Sequence, residues 1–421
     1  MLQIKYSKNI YFLDWGILLL PLSMIVGNAA ININCLIIIL LFFTNLFKKK
    51  IKLIRLDKTT IIIFLLFLFF SLNIYFSANQ KISLVSFLGI IKYMLLVAAI
   101  LYCCKNIESF ILRFSKLIFI ILILVCLDTL LQFFRGTDIF GYSSNPSHGM
   151  RLSGPFGDEY IVGSFIGKFA LISLFYLNKK NFFYEYVSLL TFLIIVFLSN
   201  ERAASIMCFF SMVAYFLLSP NLNFKMKLIN FISLALLIVF LFNINTQLKK
   251  HFIERTFQQF AIVSGNEGGD YEHESFWDSR WGAHFLTAVE INKNYPLLGS
   301  GLHTYRIECL NKKYEKINSI RVNERCNTHP HNIYLEIWSE LGTLFFIFFV
   351  IFNIYFLFKL FKVYFFNKKY QQEASIIISL YFMLFFPIQT TGSLFSTWNG
   401  LIYWILIALC LNLFTNSIKK N

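Results

Sequence analysis

Thr60 to Ser77 read TIIIFLLFLFFSLNIYFS, a run without one charged side chain. At 1.5 Å per residue a helix of that length spans about 27 Å, close to the roughly 30 Å of hydrocarbon in a bilayer. The signature recurs along the chain. Apolar runs at 10–26, 29–47, 60–77, 84–104, 113–134, 160–178, 182–199, 201–219, 227–243, 338–358, 375–391 and 398–416 predict about twelve transmembrane helices. The first run lacks a small-x-small cleavage site and leads straight into the second, so it reads as a span and not as a signal peptide.

Composition points the same way. Of 421 residues, 57% are hydrophobic and 14% charged, with mean hydropathy +0.64. Soluble domains hold about 45–50% apolar and about 25% charged residues, so the surplus apolar side chains need lipid as their solvent. Soluble, collagenous, disordered and small disulfide-scaffold classes are excluded. The expected fold is an all-α integral membrane protein.

The formal charge of +16 is mainly a topology signal. Short loops rich in Lys and Arg stay cytoplasmic. Alternate connections collect 21 of the 38 basic residues, led by the cluster Lys48, Lys49, Lys50, Lys52, Arg55 and Lys58. The opposite short loops hold Lys81, Arg135, Arg151 and Arg202. Both termini are therefore expected in the cytoplasm, and no nucleic-acid partner is expected. Two connections on the outer side are too long for turns, about 135–159 and about 244–335, and long loops in compact proteins tend to carry function. The expected organisation is helices 1–9 over residues 1–243, a partly helical outer loop domain over 244–337, and helices 10–12 over 338–421. Within that loop a helix is expected over about 277–293, ended by Asn294-Tyr295-Pro296.

Cysteines and histidines sort by side. Cys35, Cys103, Cys104, Cys126, Cys208 and Cys410 fall in or at the ends of spans, where Cys acts as a small hydrophobe. Cys309 and Cys326 lie in the large loop. They are either free thiols or, in an oxidising compartment, a disulfide worth roughly 3 kcal/mol in the chain-entropy picture. All seven histidines (His148, His251, His273, His284, His303, His329, His331) fall in the two long loops.

Four constellations stand out. In Asn327-Thr328-His329-Pro330-His331-Asn332, Pro330 favours an extended backbone and His331-Asn332 can cap the tenth span, which holds His331 at the membrane edge. A plain interfacial cap and a zinc site made from His329, His331 and an acidic ligand are the alternatives. Arg202, in Ser199-Asn200-Glu201-Arg202, sits at the outer interface, where a charge is costly unless paired with a residue such as Glu201 or functional. Arg151 and Arg280 share that face, and guanidiniums suit phosphate by their planar fork. Lys92, Asp128 and Lys168 lie at similar depth inside spans, where they can neutralise one another or form a polar funnel.

These residues resemble the O-antigen ligase and O-antigen polymerase family of bacterial envelope glycosyltransferases. The resemblance rests on Thr328-His329-Pro330-His331-Asn332 with Glu340-Leu341-Gly342, on Arg280-Trp281, on Pro296-Leu297-Leu298-Gly299-Ser300-Gly301, and on Arg202-Ala203-Ala204. It departs at Glu201, where the family more usually has Ser before the Arg, and at Asp158-Glu159, where an Asn often follows. The motifs run in order over about 200 residues. What the resemblance implies is transfer of a glycan from undecaprenyl pyrophosphate at the periplasmic face of the bacterial inner membrane, without metal or cofactor. Arg202 and Arg280, with Arg151 as a substrate-binding partner, would neutralise the pyrophosphate leaving group. His331 would take the acceptor's proton, with His329 and Asn332 as substrate-binding or supporting residues. The leading expectation is an O-antigen ligase with a lipid A–core acceptor. A polymerase extending lipid-linked repeat units, a protein O-glycan transferase and, more distantly, a lipid-linked glycan flippase are the alternatives.

Overall fold

The computed structural model describes residues 8–48, 58–144, 151–259 and 275–418. Regular structure among them is helical, and an isolated bridge joins Thr137 to Ser143. The first half of the chain gives α1 (Lys8–Leu18), α2 (Leu20–Val26), α3 (Asn28–Lys48), α4 (Lys58–Tyr75), α5 (Gln80–Asn106) and α6 (Phe110–Arg135). The next helices are α7 (Val162–Leu177), α8 (Phe182–Leu198), α9 (Arg202–Leu218) and α10 (Phe224–Ile244). Short helices α11 (Thr246–Lys249) and α12 (Arg255–Gln259) flank a π turn at Lys250–Glu254. After them come α13 (Arg280–Asn294), α14 (Tyr305–Glu308), α15 (Ile333–Phe366), α16 (Gln371–Phe385) and α17 (Thr397–Ile418). His148 and His273 lie outside the described residues.

Among the described residues six helices are long and apolar enough to cross a bilayer: α3, α5, α6, α10, α15 and α17. This is a multi-pass membrane architecture. Burial is graded across it. In α7 every residue but Ser164 and Tyr176 is buried, and α16 is nearly as enclosed, so these two helices form the centre of the bundle. The periphery turns greasy side chains outward: Phe231, Ile232, Leu236 and Phe240 of α10 are exposed. A helix apolar on all faces is tolerated on the outside only when lipid is the solvent.

Three expected spans end differently from the hydropathy pattern. Residues 10–26 form two helices, because the chain breaks at Leu19 and Pro21 sits in the first turn of α2. Run 375–391 stops being helical at Phe385; Phe386 is extended ahead of Pro387, and 386–396 becomes a loop. Run 338–358 belongs to a longer helix, α15, that is interrupted at Gly342 (φ 73°).

That interruption has a partner. The turn 296–301 docks into it: Ser300 and Gly301 N–H donate to the carbonyls of Ser339 and Glu340 (3.0 and 2.9 Å), and Thr343 N–H donates to the Pro296 carbonyl (2.8 Å). The fit requires glycine. A Cβ on Gly342 would stand 2.3 Å from the Leu297 oxygen, and one on Gly299 would stand 2.3 Å from the Glu340 carbonyl. Asn73 of α4 clamps the joint, donating to the carbonyls of Leu298 (2.6 Å) and Glu340 (3.0 Å) and accepting from Leu302 N–H (3.2 Å).

The segment around α13 and α14 has a small core of its own, made of Ala288, Ile291, Tyr305, Cys309 and Tyr314. Tyr305 Oη donates to the carbonyls of His284 (3.1 Å) and Arg325 (2.9 Å) at its centre. Cys309 and Cys326 are bonded, with Cα atoms 5.3 Å apart. The expected loop helix begins at Arg280, not 277, because Ser279 accepts from Gly282 N–H and caps it there.

Candidate active site

Two polar groups stand out. The first is built on the start of α15. His331 is in the left-handed region (φ 58°), uncommon for residues other than glycine, though histidine adopts it more readily than most. Its carbonyl accepts from Thr391 N–H at 2.7 Å, which fixes the turn. Asn332 then caps α15, accepting from Tyr334 and Leu335 N–H (3.0 and 3.1 Å), while its amide donates to the Pro387 carbonyl (2.8 Å). Asn332 thus has both ends of its buried side chain engaged within the protein framework.

This turn gathers three imidazoles. The His331 ring lies 4.2 Å from that of His329, 5.3 Å from that of His284 and 4.7 Å from that of Trp281, edge-on. His329 Nε2–H donates to the Thr391 carbonyl (3.0 Å), which leaves Nδ1 to accept from the Thr328 hydroxyl (2.9 Å). His331 Nε2 is buried with no hydrogen-bond partner, as is His284 Nδ1. Burial, then the nearby His329, His284 and Arg280, push His331 down to about 2; burial pushes His284 and His329 down to about 4. All three rings are neutral near pH 7. As a metal centre the cluster fits poorly. His284 and His331 stack face to face, and both His329 nitrogens are occupied. Among the described residues no three His, Cys, Asp or Glu side chains converge to hold an ion.

Arg280 opens α13 one turn before His284, within electrostatic range of His331, and pairs with Glu324 at 2.6 Å. Beneath the turn lie two buried carboxylates. Glu336 accepts from the Ser393 hydroxyl and Leu394 N–H (2.8 Å), and Glu340 accepts from His303 and Tyr305 N–H (2.6 and 3.0 Å). Arg306 contacts His303 and lies within electrostatic range of His329.

The second group lies at the starts of α7 and α9. Glu201 is buried and accepts from Gly163 N–H (2.6 Å), which ties the two helix ends together; its other oxygen faces Arg151 Nη2 at 3.8 Å. Arg151 also donates to the Tyr160 carbonyl (2.6 Å). Arg202 donates to Thr256 Oγ1 of α12 (3.3 Å), and the next residue back, Arg255, meets His251 Nδ1 at 3.4 Å.

The loop 386–396 joins the groups. Thr391 holds His329 and His331, Gly392 lies against Asn399, and Asn399 Oδ1 accepts from Lys168 Nζ (3.3 Å), which is within electrostatic range of Glu201. Lys168 is therefore engaged with Asn399 and Glu201 and not with Asp128. Lys92 donates to Asn32 (2.6 Å), and Asp128 accepts from Ile139 N–H (2.9 Å). The expected mutual neutralisation fails because each residue faces a different partner: Asn32 on α3, the turn after α6, and Asn399 on α17.

The sequence reading gathers Arg151, Arg202, Arg280, His329 and His331. It misses His284, Arg306, His251, Arg255 and the loop 386–396. His284 carried a signal, standing four residues after Arg280 on one helix face. The loop carried a weaker one, the small polar run Thr390-Thr391-Gly392-Ser393 beyond Pro387.

Residues 187–350 match the family model described as O-antigen ligase, so this part of the chain is similar to that family. The matched stretch contains Arg202, Arg255, Arg280, His284, His329 and His331; Arg151 and the loop 386–396 lie outside it. No curated protein matches the chain at a significant level.

Proposed function

We propose that this protein transfers an undecaprenyl-pyrophosphate-linked glycan to the lipid A–core acceptor at the periplasmic face of the inner membrane, as an O-antigen ligase, without a metal ion. The observation that carries the reading is the pairing of a neutral, unpartnered His331 Nε2 with a separate arginine group, linked through one loop. The acceptor hydroxyl attacks the anomeric carbon, a new C–O bond forms, and the bond from that carbon to the pyrophosphate oxygen breaks. The departing electron pair stays on the pyrophosphate, whose charge Arg202 and Arg151 meet. The hydroxyl proton passes to His331 Nε2. Arg280 lies on the histidine side of the site, where it meets charge near the reacting centre.

A base works best with a pKa near the working pH, and His331 alone is far too acidic. Burial is the main cause of that depression and the nearby Arg280 adds to it; a bound pyrophosphate dianion works against the Arg280 part. Donor binding therefore raises the basicity of His331, so proton abstraction is tied to an occupied donor site. A flippase finds less support, because the polar groups gather around helix starts and one loop and not along a path between two halves.

The test is the surface glycolipid profile of a deletion strain complemented with wild type or His331→Ala, with lipid-linked glycan measured in parallel. Long lipid-linked chains accumulating beside bare lipid A–core is the expected result for His331→Ala. Single repeat units on the core would make the protein a polymerase, and an unchanged profile would remove the enzyme reading.

A further inference from the structure

The segment that follows α10 folds back beside the arginine group, and nothing in the sequence motifs requires it to do so. Asn245 caps α11 by accepting from Leu248 N–H (2.9 Å). A π turn over Lys250–Glu254 then swings Phe252 onto Phe197 (5.2 Å, stacked) and Phe242 (5.8 Å), which anchors the segment to α8 and α10. Single π turns of this kind interrupt helices most often at functional sites. The result brings Thr256 against Arg202 and sets Arg255 against His251. A cavity of about 90 Å³ opens alongside, lined by Asn200, Asn245, Gln247 and the apolar Leu152, Leu198 and Leu248.

We propose that the segment 246–259 completes the donor site, with Arg255 as a further guanidinium for the pyrophosphate and His251 as the imidazole that orients it. This rests on the donor reading above. Glu201 offsets Arg151, and Arg255, in range of the same His251 as Arg202, adds a further positive charge for a pyrophosphate diester with two negative charges. His251 is suited to its part. Burial, with Arg202, Arg255 and Arg151 nearby, keeps the ring neutral, so it accepts from Arg255 without adding a charge of its own. The neighbouring cavity offers amides over an apolar wall, which suits the polar group next to the pyrophosphate.

The experiment uses the full-length protein in lipid nanodiscs, with a polyprenyl pyrophosphate lacking glycan as probe and the polyprenyl monophosphate as comparison. Arg255→Ala is expected to weaken pyrophosphate binding about tenfold to a hundredfold, the size of a lost charge-assisted hydrogen bond, and to affect the monophosphate less. Arg255→Lys restores part of the loss as a point charge, and Lys225→Ala, exposed at the start of α10 and outside the segment, leaves binding unchanged. If Arg202→Ala weakens binding and Arg255→Ala does not, this inference is overturned and the donor reading stands. If neither variant weakens it, the donor reading itself fails. Should Arg255→Ala lower the melting temperature, Arg255→Gln decides the matter by the same binding measurement.

Discussion

The histidine group and the arginine group are built in opposite ways. Around His331 the framework is over-determined: Glu336, Glu340, Asn332, Asn73 and three glycines fix the backbone from below, and the reactive nitrogen is left alone. Around Arg202 the side chains hold one another, through Glu201, Thr256 and His251, with a few aromatic contacts behind them. The first arrangement suits a group that must sit still while a proton moves. The second suits a charged leaving group that must be gripped and released.

The sharpest way to break the contrast is at its rigid end. Gly342→Ala forces a Cβ against the Leu297 carbonyl in a left-handed conformation, and the joint between 296–301 and α15 cannot form. A loss of about 4 kcal/mol or more is expected, seen as aggregation in fluorescence-detected size exclusion; a monodisperse variant with wild-type melting would refute the joint. A smaller effect follows from Cys309→Ser, which opens the loop unit beside the histidines and lowers its stability by about 3 kcal/mol. Limited proteolysis of the 275–332 region reads this directly, and unchanged protection would count against a bonded pair.

A further effect is one of pH. His284, His303 and His329 are held near 4 chiefly by burial, below the ordinary imidazole value of 6.5. The unfolded chain takes up protons as pH falls through about 6.5 while the folded protein does not. Their contribution to stability is therefore whole above that pH and is lost as pH falls toward 4. Melting temperature should drop across that window, and less so in His284→Gln; a rise on acidification would contradict the burial.

Much of this was legible in the sequence, for definite reasons. Apolar runs mark helices because lipid imposes one rule on every side chain, so each run corresponds to one or two described helices. Ends were less legible. The break at Gly342 and the loop after Phe385 depend on a docking turn and a single proline, which hydropathy averages away. The histidine motif could be read because Pro330 and Asn332 act locally. The joining of His284 to His331, and of Thr256 to Arg202, is tertiary, brought about by Tyr305 and by Phe252, whose partners lie far along the chain.

The division of labour between the two groups is the central claim, and one measurement addresses it: binding of a lipid-linked glycan donor and single-turnover transfer, recorded on the same samples of wild type, His331→Ala and Arg202→Ala. His331→Ala should bind donor nearly as wild type and lose about 10²–10⁴-fold in transfer, whereas Arg202→Ala should lose binding and transfer together. Transfer by His331→Ala at the wild-type rate, or unimpaired donor binding by Arg202→Ala, would contradict the account.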